Sequence, residues 1–206
     1  MQDSFQTISK ISESLYKEKG SKFIGIALPV RSKGQVKEKL EEIKKKYYDA
    51  RHHCYAYILK ADGSKYRAND DGEPNHSAGD PILGQIKSRE LTNTLVVVIR
   101  YFGGTKLGVS GLINAYKTAA SEALDSNKVV EKLITDTVKF TFTYEEMNEV
   151  MKLVSDFELE IINQEFEMEC VLTADVIVSK TEELKIKSQL LSDLGRKITF
   201  KVEEDE

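Results

Sequence analysis

Apolar and polar positions along the chain alternate in two periods, and the centre of the pattern is the stretch LVVVIRYFGGTKLGVSGLINAYKTAASEAL, residues 95–124. Residues 95–99 form an unbroken, mostly β-branched run too short for a helix with its own core face. It predicts a strand buried on both sides, with Arg100, Tyr101 and Phe102 carrying it to an exposed end. Gly103, Gly104 and Gly108 then allow a close turn. From Ser110 the period becomes helical: Leu112, Ala115, Tyr116, Ala119, Ala120, Ala123 and Leu124 share one face, and so much alanine predicts a helix lying close against its sheet.

The flanking segments follow the same rules. Strands are expected at 5–14 and 22–30 around a turn at 19–21. Val36, Leu40, Ile43 and Tyr47 stripe a helix over 35–48 that ends in three lysines. Residues 51–60, RHHCYAYILK, predict a strand with His52, Cys54, Ala56 and Ile58 on one face and Arg51, His53, Tyr55 and Tyr57 on the other. Asp62-Gly63 marks a hairpin returning over 64–67. After residue 127 the predicted order is strand 137–143, a helix carrying Met147, Val150, Met151 and Val154, strands 159–166 and 170–178, a helix ending at Gly195, and strand 197–202. That β-α-β-β-α-β order, in about 70 residues, is the split or ferredoxin-like plan. The expected fold class is α+β in two domains, 1–134 and 135–206.

Charge divides the chain in the same way. Residues 1–136 carry 22 Lys+Arg against 17 Asp+Glu, a net +5, whereas 137–206 carry 8 against 17, a net −9. The first part tolerates phosphate and the second repels it, which suits a basic protein partner for the acidic half. There is no run of about 18 apolar residues to span a membrane and no apolar N-terminal stretch to act as a signal, so the expected location is the cytoplasm. Two cysteines far apart, Cys54 and Cys170, read as reduced thiols.

Three features carry chemistry. The corner formed by Gly103, Gly104, Lys106 and Gly108 opens a helix whose first amides, beside a lysine, can hold an anion. Its spacing matches neither common nucleotide-binding loop. Arg51, His53, Tyr55 and Tyr57 mix a cation with flat rings; if exposed they form a stacking platform that Arg100 and Tyr101 extend, and if covered they are core edges. The long polar loop NDDGEPNHSAGDP, residues 69–81, holds Asp70, Asp71, Gly72, Glu73, Pro74, His76 and Asp80. It suits a hard cation, acid-base work by His76, or bracing of nearby backbone, with Asp80 capping a helix over 82–89; bracing is preferred. No GxSxG or HExxH occurs. No metal ligand set, catalytic residue or cofactor is assigned.

RHHCYAY, NDDGEPNHSAGDPIL and VVVIRYFGGTKLGVSGLINAY resemble the signature stretches of the IMPACT family, in its bacterial, YigZ-like branch. The resemblance implies a first domain with the ribosomal S-five-like domain 2 fold and a second similar to a ferredoxin-like domain of elongation factor G. It also implies an association with translation and its regulation. Two positions depart from the family pattern: Asn75 to Gly79 replaces SGTAG, and Asn114 stands where the helix commonly has arginine, which removes one cation. The expected function is a non-enzymatic protein binding RNA, the ribosome or a translation factor. The alternatives are an enzyme acting on a small phosphorylated or acyl substrate through residues 70–76, and a protein-binding regulator. Oligomeric state is not legible.

Overall fold

The computed structural model describes residues 3–167 and 169–203; the outer ends of the two expected domains and residue 168 lie outside the described residues. The chain divides into two compact units, 5–132 and 133–206 together with 1–4.

The first unit is built on a five-stranded antiparallel sheet in the order β2-β3-β6-β4-β5. Its strands are β2 (Ser12–Glu18), β3 (Ser21–Pro29), β4 (His52–Leu59), β5 (Lys65–Asn69) and β6 (Thr94–Tyr101). The apolar run is the middle strand, as its composition requires. Val96 and Val98 point into a core shared with α2 (Gly79–Lys87) and α3 (Gly108–Asp125), while Leu95, Val97 and Ile99 point into a second core that includes Val36 and Ile43 of α1 (Lys33–Lys46). A sheet covered on both faces needs no polar alternation in its centre, which is why β6 reads as continuous hydrophobe.

Helix α1 begins earlier than its apolar stripe. Ser32 caps it, accepting from the Gln35 amide at 3.2 Å, and the Gln35 side chain accepts from the Arg31 amide at 2.8 Å. This capping pattern, with Gln35 reaching back to the residue before the cap, is written in the S-x-x-Q of residues 32–35 rather than in hydrophobic spacing. Helix α3 lies as close to the sheet as its alanines predict. Ser14 Oγ donates to the Ala119 carbonyl at 2.8 Å, and a Cβ added to Gly25 of β3 would lie 2.4 Å from the same oxygen.

The strand expected at 5–14 is two strands. β1 (Ser4–Ile8) leaves the main sheet to pair with β7 (Val129–Leu133). Asn127 holds the break, its amide nitrogen donating to the Lys10 carbonyl at 2.6 Å. Strand β7 escaped the sequence reading because it is largely exposed and carries no alternating pattern.

In the second unit the element order is β8 (Thr135–Phe142), α4 (Met147–Asp156), β9 (Glu160–Phe166), β10 (Cys170–Ile177), α5 (Thr181–Asp193) and β11 (Ile198–Val202), with sheet order β11-β8-β10-β9. Val138, Phe140, Phe142, Leu172 and Leu184 centre its core. No helix among the described residues is long and apolar enough to cross a membrane.

Replacing Gly25 by alanine drives a methyl group into α3 backbone and is expected to cost about 1–3 kcal/mol of stability. Gly84→Ala in α2, where an added Cβ meets nothing within 4 Å, is expected to stabilise by about 0.5–1 kcal/mol. Urea unfolding of the two variants checks both signs.

Candidate functional site

Strand register lines up the side chains on which the site is built. Phe23 of β3 stands opposite Arg100 of β6, and Arg100 opposite His52 of β4, so the three form a row across one face of the sheet. Two residues further along each strand this face is core. At the row Phe23 is still core, while Arg100 and His52 bring polar chemistry beside it.

Arg100 is held from several directions. Its guanidinium lies 5.5 Å from the Phe23 ring centroid and 5.6 Å from that of Phe102, while Nη1 donates to Glu73 Oε1 at 2.6 Å. The same carboxylate oxygen accepts from the Tyr116 hydroxyl of α3 at 2.8 Å. The Arg100 and Glu73 side chains are 8% and 4% exposed, a buried pair whose Nε finds no hydrogen-bond partner among the described residues. His52 completes the rim. Its Nδ1 donates to the Asp71 carbonyl at 2.8 Å, which fixes the proton there and leaves Nε2 4.0 Å from Glu73 Oε1.

The loop that delivers Glu73 is braced by its own acids. Asp70 accepts from the amides of His76 (2.9 Å), Ala78 (2.9 Å) and Gly79 (2.8 Å). Burial raises its pKa, yet these three amides outweigh burial and hold it below the ordinary carboxylate range. Asp70 therefore caps α2 from nine residues upstream. Asp80, expected in that role, lies inside the first turn and bonds His76 instead, at 2.5 Å. Asp71 accepts from the His53 amide at 2.7 Å, and Gly72 follows it with φ +85°. Pro74 lends its carbonyl to the Ser77 hydroxyl and borders the opening. No group of three or more His, Cys, Asp or Glu among the described residues is arranged to hold a metal ion. Cys54 donates to the Asp70 carbonyl, and burial pushes its thiol up to about 12, so it is no thiolate at neutral pH.

Around the row opens a cleft of about 440 Å³, lined by Arg51, His52, Glu73, Pro74, Arg100, Phe102, by Lys106 and Leu107 before α3, and by Gly108, Val109 and Leu112 at its start. Gly103 spends its amide on Ser21 Oγ at 3.1 Å, and a Cβ there would lie 1.9 Å from the Gly20 backbone. That glycine is a packing device. Gly104 and Gly108, with φ +88° and +72°, turn the chain past it. Helix α3 then starts with no side-chain cap and no acid in its first turn, and Lys106 beside it is exposed.

Of the two alternatives for the Arg51, His53, Tyr55 and Tyr57 face, the covered one holds: the tyrosines are core edges and no exposed stacking platform forms there. Tyr57 is 6% and His53 7% exposed, and Tyr55 and Tyr57, their rings stacked 6.5 Å apart, pack into the core beneath α1. Tyr101 belongs to that covered side, with its hydroxyl on Asp49 raising it to about 12. Alternation puts Arg100 on the opposite face, so it extends nothing there. Of the set, Arg51 and Arg100 reach the cleft.

Residues 19–124 match the model of the Impact N-terminal domain, a span that contains the cleft and its loop. The chain belongs to the IMPACT family. The IMPACT family member YvyE of Bacillus subtilis is 40% identical over 64% of this chain and 61% of its own, and YigZ of Escherichia coli 29% identical over 86% and 87%. A crystal structure of a hypothetical protein superposes with a TM-score of 0.73 at 25% identity, covering the whole of both chains. In this IMPACT chain the motif blocks quoted from the sequence therefore meet in space: RHHCYAY supplies Arg51 and His52, DDGEP supplies Glu73 and Pro74, and RYFGG supplies Arg100 and Phe102. Sequence reading missed His52, Phe102 and Tyr116 as site residues. The signal was strand parity, which separates His52 from His53.

Asp70→Asn removes a charged acceptor shared by three amides and is expected to cost about 2 kcal/mol near pH 7. Because the folded pKa of Asp70 is depressed, its contribution is full above the unfolded value and fades as pH falls through the folded one. The gap between wild type and variant should thus narrow below about pH 4, as measured by urea unfolding at successive pH values.

Proposed function

We propose that this chain is a translation-associated RNA-binding protein, and that the cleft at the start of α3 is where the phosphate chain of single-stranded RNA, free or at a ribosomal surface, makes contact. The observation that carries the reading is the gathering of Arg51, Arg100 and Lys106 with the uncapped N-terminus of an 18-residue helix around one opening. Helix amides and fixed cations are the groups that hold phosphate. Phe102, 55% exposed at the same opening, offers a ring for a base to stack on. Membership of the IMPACT family supports a role in translation control, and the net positive charge of residues 1–136 supports approach to a polyanion. The acidic half is assigned a part that needs no phosphate contact, such as holding a basic protein partner. On the same reading the two units carry the S-five-like and ferredoxin-like folds.

The test is titration of the full chain with a labelled single-stranded RNA at about 50 mM and 200 mM salt. Affinity is expected to fall with salt, by about tenfold or more for a few phosphate contacts, and to fall again by about tenfold in Lys106→Glu and in Arg51→Glu at low salt. Binding that ignores salt, or that both variants retain, would defeat the proposal.

A further inference from the structure

The cleft differs from an electrostatic track for a continuous strand. Its deepest cation, Arg100, is fixed between two rings and 8% exposed, with Nη1 committed to Glu73 and Nε lacking a partner. An internal phosphodiester, flanked by sugars on both sides, reaches the exposed Arg51 and Lys106 at the rim, whereas a group at the end of a chain can also approach the buried guanidinium. The charges agree: Arg51, Arg100 and Lys106 stand against one carboxylate, Glu73, whose Oε1 already serves Arg100 and Tyr116, so about two positive charges are left for a guest. A phosphomonoester carries about −1.5 to −2 near pH 7, whereas a diester carries one negative charge. The remaining walls, Pro74, Phe102, Leu107, Val109 and Leu112, are apolar and suit a nucleoside ring; a volume of about 440 Å³ is that of a small-ligand pocket.

We infer that the cleft of Arg51, Arg100, Lys106 and the α3 N-terminus is a site for a nucleoside phosphomonoester, either the phosphorylated end of an RNA strand or a free mononucleotide. This rests on the RNA reading of the same cleft and narrows it. The phosphate sits between Lys106 and the first amides of α3, with Arg100 below it and the base against Phe102. His52, its Nδ1 proton held by the Asp71 carbonyl, places Nε2 4.0 Å from Glu73 Oε1 at the rim.

The experiment measures anisotropy of three labelled copies of one short RNA, bearing a 5′-phosphate, a 3′-phosphate or hydroxyls at both ends, with AMP and adenosine as competitors. One phosphorylated strand is expected to bind at least about tenfold more tightly than the unphosphorylated one, with AMP competing and adenosine not. Ser110→Asp tests the placement without threatening the fold, because Ser110 is exposed and an acid in the first turn of a helix is stabilising. This variant should keep or raise the melting temperature while losing the tenfold preference. Competition by AMP with no preference among the strands would support the site and identify the free nucleotide as its source. Equal, salt-dependent affinity for all three strands without AMP competition would overturn the monoester while leaving RNA binding in place, and no binding of any probe would overturn both. A preference that survives in both Ser110→Asp and Lys106→Glu would overturn the placement.

Discussion

The buried ion pair between Arg100 and Glu73 is the constraint on which the functional end of the first unit depends. Taking both charges out of water is costly, and their mutual attraction offsets that cost only when geometry and extra hydrogen bonds are good. Here one carboxylate oxygen receives both the guanidinium and the Tyr116 hydroxyl, while rings on two sides hold the guanidinium in place. The pair, with Tyr116, joins the central strand and the alanine-rich helix that follows it to the acidic loop more than twenty residues upstream. Because such pairs are weak sources of net stability, its value lies in fixing where a cation stands at the floor of the cleft.

That constraint explains the composition of the loop. A segment with four carboxylates looks like a metal or acid-base site, and the structure commits two of them to backbone amides and two to side chains. Asp70 satisfies three amides, Asp71 ties the loop to the start of β4, Asp80 holds His76, and Glu73 neutralises Arg100. Once the acids are consumed, the field at the opening is set by Arg51, Lys106 and the helix terminus. An acidic loop thereby leaves the cations, and no free carboxylate of its own, facing the proposed anion site. The second unit, beyond the matched family domain, carries the opposite charge and keeps its own core.

Periodicity alone determined most of the elements and their order, because the central strand is buried on both faces while the alanine face of α3 and the alternation in β8 and β10 each bury one side. It placed helix ends less well. The start of α1 lay in a capping pattern, and the cap of α2 came from Asp70, which no local spacing discloses. It missed β7 because an exposed strand carries no burial signal.

The three motif blocks and the basic corner were visible as residues. Which of them share a surface was decided only by tertiary structure. Strand parity is fixed by sequence, so His52 and His53 must part, but which face is covered by α1 and which stays open at its end depends on packing between elements far apart in the chain. The same packing turned the tyrosines of β4 into core, tied the Gly103 amide to Ser21 Oγ within the fold, and brought Arg100 to the cleft with a partner at Glu73. Local order follows from the chain's own pattern of side chains, whereas a binding surface is what remains exposed after distant elements have chosen their neighbours.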